Sequence, residues 1–265
     1  MNAPLVRDQS TEAVEKINTT GLISVSEIFG PTIQGEGALI GMPTVFVRTG
    51  GCDYRCRWCD TAYAVLPEFQ QDWQWMDSKT VLQEVIRLSQ GQPLWVTLSG
   101  GNPALQELVD LIRLGKKQGY RFSMETQGSV AKPWFALLDQ LTLSPKPPSS
   151  GMCFKAKGLQ RCLQACQGDA KHKVDVSLKF VIADQQDLRW AKHIADQYPQ
   201  LPCFVQPCNT RASLEDVPDN KHSLLHADQQ KPLLDLIAAT QAMNWYNVRI
   251  LPQLHTWLWG DTPGV

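Results

Sequence analysis

The chain has 265 residues, 43% of them hydrophobic, with 25 Lys and Arg against 26 Asp and Glu for a formal net charge of −1. That is enough for one large α/β domain with its own core, and it leaves no basic footprint for nucleic acid or an anionic membrane, so a small-molecule substrate is favoured. No apolar run reaches the ~20 residues that span a bilayer, and the first twenty residues, with Asp8, Glu12 and Glu15, lack the pattern of a signal peptide. With eight cysteines and no export signal, reduced thiols or metal ligation in the cytoplasm are expected rather than disulfides.

Residues 1–21 are polar and read as a loose arm; 22–265 read as a single domain. Residues 22–29 predict a strand leading into a glycine-bearing loop over 30–37, and 44–48 a β-branched strand that delivers the chain to a loop over 50–61. Residues 67–76, with Trp73 and Trp75, read as an irregular insert. Asp77 or Ser78 caps a helix carrying Val81, Leu82, Val85 and Leu88 on one face. A buried strand over 94–98 ends in Ser99-Gly100-Gly101-Asn102-Pro103, and Pro103 is expected to open a helix that buries Leu105, Leu108, Val109 and Ile112. Then come a strand at 121–124, a short helix around 134–138, a strand at 141–143, a segment at about 152–174 that reads as an insertion, a strand over 174–183 and a helix over 185–197. A strand at 203–205, a polar excursion over 209–228, a helix over 229–243 and a strand over 246–251 complete the chain. Strand and helix alternate, with polar or glycine-rich motifs at strand ends. The pattern predicts parallel strands in an open, partial (β/α) barrel with ligands at the carboxyl ends.

The densest chemistry lies in the loop over 50–61, where Cys52, Cys56 and Cys59 fall at C-x3-C-x2-C. Structural zinc and fully ligated iron–sulfur clusters usually take four protein ligands. Three leave a position open, which suits a [4Fe–4S] cluster whose fourth iron holds something else. A zinc-binding interaction module is the competing reading, and it requires a fourth ligand near the loop. Two further stretches are ambiguous alone. Ser99-Gly100-Gly101-Asn102-Pro103 is either an ordinary βα turn or bare backbone for a ligand. Gln34 and Glu36, flanked by glycines, either make a solvated turn or present an amide and a carboxylate to a guanine-like edge.

The loop spacing resembles that of the radical S-adenosylmethionine (SAM) enzymes. The chain as a whole resembles the 7-carboxy-7-deazaguanine synthase family within them. The resemblance runs through Glu27-Ile28-Phe29, Gln34-Gly35-Glu36-Gly37, Phe46 and Arg48 leading to Cys52, Cys59-Asp60-Thr61, Ser99-Gly100-Gly101 and Glu125-Thr126. It continues through 144–151, Gln206-Pro207, 251–255, Trp259-Gly260 and the Pro263-Gly264-Val265 tail. It implies radical-mediated contraction of 6-carboxy-5,6,7,8-tetrahydropterin to 7-carboxy-7-deazaguanine with release of ammonia, SAM being regenerated, on a route to queuosine. It also implies Mg2+, a homodimer and a flavodoxin-type electron donor. A glycyl-radical activating enzyme shares the cysteine loop but needs neither the Gln34–Gly37 stretch nor Arg48.

The resemblance assigns the cluster to Cys52, Cys56 and Cys59 and Mg2+ to Thr61. It assigns SAM to Trp58, Asp60, Gly101, Ser144, Pro145, Lys146 and Gln206, with Asn102 where many members carry Glu. Substrate falls to Ile33, Gln34, Gly35, Glu36, Arg48, Ser99 and His255, with the carboxylate of Val265 as a further contact. Arg48 has its own physical case, since a guanidinium holds a substrate carboxylate in two parallel hydrogen bonds; the alternative is a surface ion pair. Glu125 either faces the reacting carbons or pairs with Lys146. His255 is either a core histidine or a neighbour of substrate. Cys153, Cys162, Cys166, Cys203 and Cys208 are expected as free thiols in preference to a second cluster.

Overall fold

The computed structural model describes residues 21–168, 172–209, 225–260, 262 and 264, with 225–229 described by backbone alone. The expected N-terminal arm, most of the polar excursion and Val265 lie outside the described residues.

One nine-stranded sheet runs in the order β3-β1-β2-β4-β5-β6-β7-β8-β9. β2 (Pro43–Thr49), β4 (Trp95–Gly100), β5 (Arg121–Thr126), β6 (Gln140–Leu143), β7 (Asp175–Ile182), β8 (Cys203–Pro207) and β9 (Arg249–Ile250) are mutually parallel and follow one another in chain order. β1 (Ile23–Ile33) pairs antiparallel with both β2 and β3 (Gln74–Met76) at the other edge. Sequential parallel strands that do not close on themselves make the expected partial barrel.

Crossovers are supplied by α1 (Ser78–Leu88), α2 (Val109–Lys117), α3 (Ala156–Ala165) and α4 (Gln185–Ala195); α5 (Leu225–Ala242) and α6 (Leu254–Trp259) follow β8 and β9. Asp77 caps α1 by accepting from the Thr80 amide at 2.8 Å. α3 lies inside the segment expected as an insertion and is the β6–β7 crossover, with Leu159 and Cys162 buried in the core.

Several elements differ from their sequence expectations. β1 does not end at Phe29 but continues through a register irregularity and a cis Gly30-Pro31 bond to Ile33, so half of the expected loop is edge strand. The insert over 67–76 holds a 3-10 helix (Pro67–Asp72) and β3, because Trp73 drives its ring over Gly50. Pro103 opens only a 3-10 turn (Pro103–Leu105), and α2 starts at Val109. The element near Trp134 is also 3-10 (Pro133–Leu137), α5 reaches back to Leu225, and only Arg249 and Ile250 of the last strand pair.

The sheet's two faces sort the side chains by period two. Val45, Val47, Val96, Leu98, Phe122, Met124, Leu141, Leu143, Leu178, Phe180 and Val205 point outward into the helix-covered core, all but fully buried. The alternate positions point into the lumen and are mostly polar, with Phe46, Trp95, Val181 and Phe204 the apolar members. Low in it, Thr44, Thr97 and Ser123 form a hydroxyl chain at 2.8 and 3.0 Å, and Gln140 donates to Ser177 at 3.1 Å. Towards the carboxyl ends the same phase carries Arg48, Ser99, Glu125, Lys179 and Gln206. That end is the candidate site.

Candidate active site

Two layers meet at the carboxyl end of the sheet. The first is the cysteine loop, entered from β2 and braced from beneath. Asn102 is fully buried. Its Oδ1 accepts from the Ala104 amide and from the Thr126 hydroxyl at 2.7 Å, while its Nδ2 donates to Asp53 at 2.8 Å. Gln127 donates to the same Asp53 oxygen at 2.7 Å and approaches Cys52 Sγ at 3.7 Å. The side chain at the position where many family members carry Glu is therefore spent on the loop that holds the cysteines. Gly101 packs against the same loop: a Cβ there would lie 2.0 Å from the Gly51 carbonyl oxygen.

From above, the loop rests on residues 149–153. Tyr54 donates to the Cys153 carbonyl at 3.0 Å, Arg57 N–H to the Ser150 carbonyl at 3.0 Å, and Trp58 Nε1 to Ser149 Oγ at 2.9 Å. Ser149 in turn donates to Asp187 at 2.5 Å, a wholly buried carboxylate that also accepts from the Ala183 amide. Asp187 orients Trp58 through Ser149, and nothing in the local sequence announces it.

Cys52, Cys56 and Cys59 are partly exposed on this loop. Burial pushes the Cys52 thiol up to about 12, with Asp53, Cys56 and Cys59 adding to the shift and the Tyr54 amide opposing it. Cys56 is raised by burial too, against the pull of Lys146. Thiolates are the ligands, so filling this site releases protons. Among the described residues no three His, Cys, Asp or Glu side chains stand as a set for a single metal ion. Three thiols on one glycine-led loop are the number of protein ligands that suits an iron–sulfur cluster with one open iron. Thr61 Oγ1 lies 3.7 Å from Cys59 Sγ.

Beside the loop, Ser144, Pro145 and Gln206 are buried at strand ends, and Lys146 donates to Ser144 Oγ at 3.1 Å and lies 6.0 Å from the Trp58 ring centroid. The Gln206 amide is 1% exposed, and neither its nitrogen nor its oxygen has a hydrogen-bond partner. A buried primary amide with both ends unspent calls for a polar partner. Ser99 Oγ is buried and unpartnered as well.

The second layer is a charged pocket. Arg48 donates through Nε to Glu27 at 2.5 Å, Tyr63 donates to the same oxygen at 2.7 Å, and the guanidinium lies over Phe29 at 5.6 Å. The ion pair is half-buried, and among the described residues the two terminal nitrogens of Arg48 keep their donors free. Ser99 stands beside Arg48 in register. Gln34 folds back, its Oε1 accepting from the Glu36 amide at 3.2 Å, so its carbonyl is committed to shaping the turn. Gly35 accepts from the Leu254 amide at 3.0 Å, and a Cβ at Gly35 would sit 2.3 Å from His255 Nδ1. α6 thus closes directly over the turn after Ile33.

Glu36 and Glu125 both ion-pair with Lys179. The ammonium meets the two oxygens of Glu125 at 2.6 and 2.7 Å, and Gln253 donates to the other oxygen of Glu36 at 2.7 Å. The Glu125–Lys146 pairing weighed from sequence is not formed. Burial alone would raise the Glu36 carboxyl, but Lys179, His255 and the hydrogen bonds from Lys179 and Gln253 hold it far below the usual range. Burial alone would lower Lys179, and the two carboxylates raise it. Asp60 stands at the exposed rim of the pocket; desolvation of its carboxyl and the Glu36 charge raise it, with Arg48, His255 and Lys179 pulling the other way. Lys179 and Gln253 were missed in the sequence. The signal for Lys179 was there, as the single cation in an apolar strand, in phase with Ser177 below it.

Comparison with known proteins agrees with this arrangement. The radical SAM superfamily profile matches residues 46–144, which span the cysteine loop, most of β2 and the strands β3 to β6. The chain is similar to the 7-carboxy-7-deazaguanine synthase of Bacillus subtilis, 43% identical over 248 residues that cover 92% of this chain and 98% of that one. It is similar to the enzyme of the same name from Bacillus cereus at 38% over 244 residues, covering 92% and 99%. In fold it is similar to the crystal structure of QueE from Escherichia coli, with a TM-score of 0.60 at 22% identity, covering 91% of this chain and 98% of that one. With this identity held over nearly the whole length of both chains, and the three cysteines at the head of a parallel partial barrel, the chain belongs to the 7-carboxy-7-deazaguanine synthase family of radical SAM enzymes.

Proposed function

We propose that this chain contracts the ring of 6-carboxy-5,6,7,8-tetrahydropterin to give 7-carboxy-7-deazaguanine and ammonia, in the biosynthesis of queuosine and related deazapurines. The observation that carries the reading is the juxtaposition of a three-cysteine loop with a pocket holding one half-free guanidinium and two carboxylates that share the Lys179 ammonium. Cys52, Cys56 and Cys59 would hold the [4Fe–4S] cluster. The unspent Gln206 amide, Gly101, Ser144, Pro145, Lys146, Trp58 and Asp60 would hold SAM. Cluster and SAM together would supply one-electron, hydrogen-abstracting chemistry.

The protein's own part is binding, orientation and exclusion of water. The terminal nitrogens of Arg48 suit the substrate carboxylate, with Ser99 beside them. Glu36, ionised and accepting from Lys179 and Gln253, retains lone pairs for the N–H edge of the pterin. Ile33, Gln34 and Gly35 line the turn at that edge, with His255 over it; the Val265 contact that the resemblance implies lies outside the described residues. Glu125 faces the ring from the end of β5. Thr61 with the substrate carboxylate suits Mg2+, a hard cation that keeps several waters.

The reading extends to a single domain from residue 22 onward, a homodimer, a flavodoxin-type electron donor and a cytoplasmic setting. No described helix is long and apolar enough to cross a membrane. The test is an anaerobic assay of the reconstituted protein with 6-carboxytetrahydropterin, SAM, Mg2+ and a strong reductant, followed by mass spectrometry. Deazaguanine product with SAM unconsumed is the expected result. SAM cleavage without that product removes the substrate from the reading, and activity unaffected by chelating Mg2+ removes the cation.

A further inference from the structure

Lys179 stands at the centre of β7, its side chain 3% exposed, where an ammonium survives only if its charge is matched. Two carboxylates match it, from elements far apart in sequence. Glu36 comes from the turn after β1 and Glu125 from the end of β5. Gln253, at the head of α6, fixes the second oxygen of Glu36. The bridge is asymmetric in charge, two negatives to one positive, and His255 and Arg48 stand on the pocket side of it while Asp60 faces it from the cysteine loop. Without the ammonium, two partly buried carboxylates would face each other, and one of them would take up a proton or swing away.

We propose that Lys179 is a positioning residue that holds Glu36 and Glu125 apart and aimed into the pocket, so that one meets the N–H edge of the heterocycle while the other stands at the ring being remodelled. This rests on the pterin reading above. It makes Lys179 dispensable for the cluster and for SAM, which are held by other residues, and indispensable for the substrate.

The experiment compares wild type, Lys179→Met and the double variant Lys179→Met with Glu125→Gln, each reconstituted anaerobically. Binding of 6-carboxytetrahydropterin and of SAM is measured by calorimetry without reductant, so that no turnover occurs, and the cluster is followed by its visible absorbance. Lys179→Met is expected to keep the cluster and SAM affinity and to lose roughly 100-fold in pterin affinity, the scale of an unmatched buried charge. The double variant removes the carboxylate that would repel Glu36, and it is expected to regain most of the pterin affinity while remaining unable to turn over. Undiminished pterin binding by Lys179→Met overturns the proposal, as does a double variant that binds no better than the single. Loss of cluster absorbance and SAM affinity in both variants also overturns it, since the lysine would then serve the fold at large. Wild type that fails to bind the pterin refutes the substrate reading instead.

Discussion

Asn102 illustrates how a residue can occupy a motif position and do other work. Its four hydrogen bonds run to Ala104, Thr126, Asp53 and Ser129, all within the protein. Asn102→Ala is expected to destabilise the apo protein by about 2–3 kcal/mol, because the Thr126 hydroxyl and the Asp53 carboxylate lose a buried partner. It should also shorten the lifetime of the reconstituted cluster in air; thermal unfolding and the decay of visible absorbance measure the two effects. Asn102→Glu should be no better, since it swaps the donor to Asp53 for a second negative charge. The backbone position of Asn102 was legible from Gly-Gly-x-Pro, whereas its bonding was not, because Asp53 and Thr126 are near it only in the folded barrel. The same holds for Glu125: the sequence offered Lys146 as its partner, and the sheet placed Lys179 two strands away. Spacing reads ligands that are close along the chain, such as the cysteines, and misses pairs created by strand order.

At the scale of elements, α6 and the turn after β1 form one unit. Gly35 is there because His255 leaves no room for a Cβ, and Leu254 binds the Gly35 carbonyl. Gly35→Ala is expected to push α6 outward and raise the KM for the pterin by about tenfold, the scale of a displaced binding contact, while the cluster absorbance and SAM affinity stay unchanged. A parallel loss of SAM affinity would show that α6 supports both layers. Most elements were readable: the parallel strands from their β-branched runs, and α1 from Asp77 and its apolar face. The failures have local causes. Gly30 and Pro31 are turn residues, yet β1 absorbs them in an irregularity, and Pro103 starts only a 3-10 turn because the backbone after Leu105 becomes extended at Gln106 before α2 begins at Val109.

For the whole molecule, the core buries three thiols outside the cysteine loop, and burial pushes Cys162, Cys166 and Cys203 each up to about 12 from an ordinary value near 9.0. An acid whose folded pKa is raised ionises first in the unfolded chain. Stability is therefore complete below pH 9.0 and is lost progressively as pH rises from there towards about 12. Chemical denaturation of the apo protein at a series of alkaline pH values measures this; Cys162→Ala together with Cys203→Ala should flatten the decline. At neutral pH a thiol reagent should label Cys153, which is exposed, and leave these three untouched until the protein unfolds. One contact described above also bears on how the protein is made. Glu36 and Gln253 are separated by 217 positions in the chain, whereas Cys52, Cys56 and Cys59 and two of their braces, Asn102 and Gln127, precede the remaining braces Ser149 and Asp187 and, later still, Gln253. The thiol loop can thus begin to take shape on a nascent chain before the pocket beside it, which closes only once Gln253 has emerged.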